Sequence, residues 1–176
     1  MKLLTWLTCL ICTLDLNDLV DFQALKALYL NATNDFMTKK NSILVVDDSK
    51  DDVFLLCRAF KRAGLEHSLI HVLDGEEAVN YLSGENRFSD RTRYPLPSLM
   101  LLDVKMPRLN GFDVLHWLVT RNELKTLRVI MFSSSFQSED VEKAKVLGAT
   151  DYLTKPTGSE GFDQVVQSIA SKWLPL

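Results

Sequence analysis

Apolar residues in this chain fall into two alternating rhythms. Five short, mostly apolar runs, at 43–46, 68–72, 99–102, 128–132 and 150–153, are bounded by polar and turn residues. Runs of this length fit strands covered on both faces, as in a parallel sheet. Between them apolar residues recur at helical spacing. Val53, Leu55, Leu56, Ala59 and Phe60 mark one helix, which stops at Gly64. Residues 74–82 predict a short helix with acidic residues in its first turn. Phe112, Val114, Leu115 and Leu118 mark a third helix over about 111–120. Ser138 is a good N-cap for a fourth, which Gly148 ends, and Phe162, Val165, Val166 and Ile169 line a fifth over about 160–172. Strands alternating with helices predict an α/β fold: a parallel sheet wrapped on both faces through right-handed crossovers.

Two segments break the rhythm. Residues 83–97 carry Gly84, Arg87, Arg91, Arg93 and two prolines with no clear periodicity. A loop of this length is either functional or a solvated insertion. At the N-terminus, Met1-Lys2 precedes twelve uncharged residues, Leu3 to Leu14, too short a run to span a bilayer. No small-residue cleavage site follows it. A secretion signal, a membrane-surface helix and translated sequence upstream of the true start compete for residues 1–40. The third is favoured, because Met37-Thr-Lys-Lys opens directly onto the first strand. The compact domain is then 41–176.

Composition narrows the class. The chain is 176 residues long, 47% hydrophobic and 24% charged, enough for one domain with a real core. A formal net charge of −3 disfavours nucleic-acid binding through bulk charge. Cys9, Cys12 and Cys57 imply no disulfide framework; Cys9-x-x-Cys12 lies outside any βαβ context, and Cys57 is expected as a small core residue.

The chemistry gathers at strand ends. The run at 99–102 stops on Asp103, and Pro107 and Asn110-Gly111, which cannot continue a strand, follow it. The first strand ends on Asp47-Asp48, the fourth on Ser133 and the fifth on Lys155-Pro156. In a parallel sheet these ends share one edge, where α/β proteins bind ligands. Three carboxylates together need a counter-charge or protons, and Mg²⁺, which takes oxygen ligands, answers that need. A carboxylate can act as nucleophile toward phosphorus, a lysine can offer a point charge to phosphoryl oxygens, and a serine hydroxyl can donate to another. Each residue alone has a plain structural reading: Asp48 could cap the first helix, and a lone Ser or Lys after a strand signifies nothing. The joint pattern in strand order is far harder to obtain by chance.

Taken together, Val45-Val-Asp47-Asp48, Leu101-Leu-Asp103-Val-Lys-Met-Pro107, Asn110-Gly111, Ser133, Leu147-Gly-Ala149 and Tyr152-Leu-Thr-Lys155-Pro156 resemble the receiver domain of two-component response regulators. The long 83–97 segment, ending in Arg93-Tyr-Pro-Leu-Pro97, is similar to that of single-domain regulators associated with phytochromes. The resemblance implies a flavodoxin-like five-stranded sheet of order 2-1-3-4-5 with five helices. It implies that Asp103 accepts a phosphoryl group from a phosphohistidine. It also implies that Asp47, Asp48, Asp103 and the backbone carbonyl of Lys105 hold Mg²⁺, and that Ser133 and Lys155 bind the phosphoryl oxygens. Tyr152 and Ser133 would form the switch, and the bond before Pro156 would be cis. Lys105 and Ser135 stand where the family tunes water access to the acyl phosphate.

The implied partners are a sensor histidine kinase or histidine phosphotransfer protein and a downstream protein target. A homodimer is left open. A cytoplasmic location without stable membrane insertion is expected, and no nucleic acid, because no helix-turn-helix segment remains after the receiver. The expected activity is limited to self-phosphorylation from the donor and autodephosphorylation, so the chain is not an enzyme in the ordinary sense. A phosphorylation-independent interaction module is the alternative; its usual mark, loss of an acidic or Lys position, is missing here. An aspartyl phosphohydrolase would want a carboxylate where Lys105 stands. His67, His71 and His116 cluster neither with each other nor with the acidic set in sequence, and no metal is assigned to them.

Overall fold

The computed structural model describes residues 42–65 and 68–174. Strands β1 (Ser42–Val46), β2 (Ser68–Val72), β3 (Leu99–Leu102), β4 (Arg128–Ser133) and β5 (Asp151–Thr154) pair in parallel in the order β2-β1-β3-β4-β5. Helices α1 (Lys50–Arg62), α2 (Gly75–Ser83), α3 (Gly111–Val119), α4 (Ser138–Val146) and α5 (Ser159–Trp173) connect and follow them. This is the doubly wound, flavodoxin-like order.

Strand geometry explains why the central runs are apolar without interruption. Side chains alternate between the two faces of a sheet. Leu44, Val46, Met100, Leu102 and Met131 therefore enter one core with Ala78, Tyr81, Val114, Leu115 and Ala144 of α2, α3 and α4. Their neighbours Ile43, Val45, Leu99, Leu101, Ile130 and Phe132 enter the other, with Leu56, Phe60, Phe162, Val166 and Ile169 of α1 and α5. Neither face is left for solvent, so every position along β1 and β3 is buried.

Local rules set the helix starts, with some differences from expectation. Ser49, not Asp48, caps α1, its hydroxyl accepting from the Asp52 N–H. Asp48 is thereby left exposed at the strand end. Asp74 caps α2. Asn110 caps α3 in a capping box with Asp113. Ser138 is the first residue of α4 rather than its cap; Gln137 holds the cap position without a side-chain bond. Cys57 is exposed rather than buried. It follows Leu56 on α1, and one step around a helix carries it off the stripe that Val53, Leu56 and Phe60 bury. The reading of residues 1–40, with Cys9 and Cys12, lies outside the described residues, as does His67.

The segment after α2 is fastened back onto that helix by side-chain contacts. Gly84, at φ 73°, ends α2 in the left-handed conformation. Beside it Arg91 donates to the Tyr81 and Leu82 carbonyls, both at 2.7 Å. Tyr81, Phe88 and Tyr94 pack edge to face in a cluster, with ring centroids 5.2–6.1 Å apart. The buried Tyr81 hydroxyl donates to the Pro95 carbonyl at 2.6 Å. The loop thus returns along α2 and delivers the chain to β3.

Candidate functional site

Asp47, Asp48 and Asp103 lie at the carboxyl ends of adjacent strands β1 and β3. Register puts them side by side: Val46 pairs with Leu102, and the Asp103 N–H donates to the Val46 carbonyl at 2.9 Å. One carboxylate oxygen from each of the three residues falls within 4.8 Å of the others. Asp47 and Asp103 are buried and Asp48 is exposed, so the cluster has a closed floor and an open mouth.

Lys155, one residue past β5, reaches across to this cluster. Its Nζ stands 2.8 Å from Asp47 Oδ2 and 3.2 Å from Asp103 Oδ2. It also stands 3.1 Å from Asp52 Oδ2 in the first turn of α1. The lysine side chain is only 8% exposed. Burial alone would lower its pKa, but the hydrogen bond and charge of Asp47, the charge of Asp103 and the bond to Asp52 override it. The ammonium is therefore held above its ordinary range. Burial raises the Asp47 carboxyl, against the pull of Lys155 and of the Ser49 N–H. Lys155 is the counter-charge that three neighbouring carboxylates require.

The chain reaches this arrangement through a trans peptide. All peptide bonds of the described residues are trans, so the expected cis bond before Pro156 is corrected. Trans is the favoured isomer even for X-Pro, by roughly 0.5–1 kcal/mol, and Lys155 meets its three carboxylates from it.

The remaining residues take the following places. Ser133 ends β4, fully buried, and its Oγ accepts from the Ser135 N–H at 3.2 Å. A hydroxyl that accepts there can also donate its own proton. Tyr152 is half-buried on β5 and donates to the Ser135 carbonyl at 3.0 Å, while the Ser135 hydroxyl donates to Asp140 at 2.6 Å. Ser135 thus ties the loop after Ser133 both to β5, through its carbonyl, and to α4, through its hydroxyl. Lys105 is exposed on the loop after Asp103. That loop is pressed against the site by Gly111, where a Cβ would sit 2.2 Å from the Asp103 carbonyl oxygen. It is fastened to α2 by Arg108, which pairs with the buried Asp74 and with Glu76.

Sequence reading missed two neighbours of the site. Asp52 was hidden because an acidic residue in a first helical turn already has a reason to be there. His71 is close in space, with Nε2 2.8 Å from the Asp47 backbone oxygen. Facing a carbonyl, that nitrogen is a donor and not a metal ligand. His116 is exposed on α3, remote from any such role.

An all-oxygen set of three clustered carboxylates with an open side suits a hard divalent cation, and Mg²⁺ fits it. Fold and site together define a doubly wound α/β protein with an acidic pocket, fit for a divalent cation, at the carboxyl edge of its sheet. Residues 43–167 match the family model of the response regulator receiver domain, and the chain belongs to that family, the receivers of two-component systems.

Relatives place it further within the family. It is 33% identical to response regulator Rcp1 of Synechocystis sp. over 132 residues, covering 75% of this chain and 88% of Rcp1. The structure of response regulator RPA3017, from red light signalling in R. palustris, aligns with TM-score 0.72 at 34% identity, over 76% of this chain and 93% of that one. The phosphorylated cyanobacterial phytochrome response regulator RcpA aligns with TM-score 0.70 at 30% identity, over 76% and 94%. The chain is thus a receiver similar to phytochrome-associated ones. Receiver domains are signalling proteins that take phosphate from histidine kinases and bind Mg²⁺ at an acidic pocket. Among the described residues no helix is long and apolar enough to cross a membrane.

Proposed function

We propose that this chain is a response regulator, similar to single-domain ones, that accepts a phosphoryl group on Asp103 from a sensor histidine kinase or histidine phosphotransfer protein. The phosphorylated state is read by a downstream protein in the cytoplasm. The observation that carries this reading is the buried Lys155 ammonium set between Asp47 and Asp103, beside the open carboxylate Asp48.

In this reading an Asp103 carboxylate oxygen attacks phosphorus. The P–O bond forms as the P–N bond to the donor histidine breaks, and the electron pair leaves with the imidazole nitrogen, which takes up a proton. Asp47, Asp48, Asp103 and the Lys105 backbone carbonyl would hold Mg²⁺, which when bound neutralises charge on the phosphoryl oxygens. Lys155 gives its charge to one of those oxygens. Ser133 donates its hydroxyl proton to another, and in moving toward it draws on the loop that Tyr152 ties. Hydrolysis of the acyl phosphate returns the resting carboxylate. The Mn²⁺-bound structure of Rcp1 and the phosphorylated structure of RcpA support the same chemistry here by likeness.

The test is transfer from a phosphorylated histidine kinase domain. Label should reach the wild-type chain only with Mg²⁺ and fail to reach Asp103→Asn. Label that persists on Asp103→Asn, or a wild-type chain that takes none from any donor, would leave an interaction module in its place.

A further inference from the structure

Lys155 has three N–H donors and, in this structure, three carboxylate partners. Two of them, Asp47 and Asp103, belong to the oxygen cluster that suits a cation. The third, Asp52, stands outside it, in the first turn of α1. Asp52 sits where Ser49 caps α1, so its backbone is fixed by that bond while its carboxylate points back to Lys155 at 3.1 Å. Its side chain is 31% exposed, whereas the lysine is nearly enclosed.

We infer that Asp52 is a positioning residue for phosphoryl acceptance, keeping the Lys155 ammonium aimed into the pocket when the site is loaded. The inference rests on the reading of Asp103 as acceptor. A divalent cation on Asp47 and Asp103 competes with Lys155 for the charge of the same two carboxylates. Forming the acyl phosphate also removes charge from the Asp103 oxygen. Both changes loosen two of the three bonds on the lysine. Asp52 keeps its charge and its geometry throughout, and so holds the long side chain within reach of a phosphoryl oxygen. Without it the lysine regains rotamer freedom at the moment when its direction matters.

The inference has two measurements, one of them free of metal. In chelator, denaturation midpoints of wild type, Asp52→Asn, Lys155→Met and the double variant should be non-additive, the Asp52 substitution losing most of its effect once the lysine is gone. With Mg²⁺ and a small-molecule phosphodonor, Asp52→Asn should load Asp103 more slowly, on the order of tenfold, at unchanged metal affinity. Asp52→Glu, which keeps the carboxylate, should recover part of the rate. Additive midpoints, or an Asp52→Asn chain that loads at the wild-type rate, would overturn the inference while leaving Asp103 as acceptor. A wild-type chain that never labels would instead remove the reading it rests on, and this inference with it.

Discussion

The tyrosine at position 81 shows how much one buried polar atom constrains a residue. Its ring is fully enclosed and its hydroxyl has a single partner, the Pro95 carbonyl. Burial pushes its pKa up from 10.0 to about 12, with Arg91 pulling the other way. The folded chain therefore keeps this proton after an unfolded chain has lost it. The resulting stability is full below pH 10 and drains away as pH rises toward about 12. Denaturation midpoints should fall across that window, and fall less in Tyr81→Phe, which has no proton there to lose. Gly111 is constrained by space instead of charge. A Cβ there would lie 2.2 Å from the Asp103 carbonyl oxygen, with Met131 on its other side. Gly111→Ala should cost about 1–3 kcal/mol in unfolding free energy, as overpacked sites do. Because the clash falls on Asp103, a member of the clustered carboxylates, it should also weaken Mg²⁺ binding.

Among the elements, the strands were legible from sequence and the long loop was not. Buried parallel strands announce themselves as unbroken apolar runs, and the predicted ends of β1 and β3 fall within a residue of those observed. The order at residues 83–97 depends on contacts that no local pattern encodes. Arg91 recognises two carbonyls of the preceding helix, and Tyr81 meets Phe88 and Tyr94 only after the chain has turned back. Cys57 and Ser138 failed for a related reason: a plausible residue type was read without the rotation or phase of its helix. Arg91→Ala would take the Arg91 donor from the Leu82 carbonyl and leave the Tyr81 carbonyl only its bond from the Gly84 N–H, at about 1–3 kcal/mol for an acceptor left unpaired. Hydrogen exchange should show faster opening of the last turn of α2 and of the 84–97 loop, with β4 and β5 unaffected.

At the scale of the molecule, the parallel sheet converts sequence order into spatial convergence, because every strand delivers its last residue to one edge. That is why Asp47, Asp48, Asp103 and Lys155 could be chosen as a set before any coordinates. Asp52 could not be, since it comes from a helix rather than a strand end. The same geometry makes Lys155 both counter-charge and competitor for a cation. Lys155→Met should therefore lower stability without metal, while Mg²⁺ should raise its melting temperature by more than it raises that of wild type. The central claim is that Asp103 becomes an acyl phosphate, and borohydride trapping tests it most directly. Reduction of that mixed anhydride leaves homoserine at the modified position, which peptide mass mapping locates. Homoserine at position 103, formed only after incubation with phosphodonor and Mg²⁺, is the predicted result; homoserine at Asp47, Asp48 or Asp52 instead, or at none of them, would contradict it.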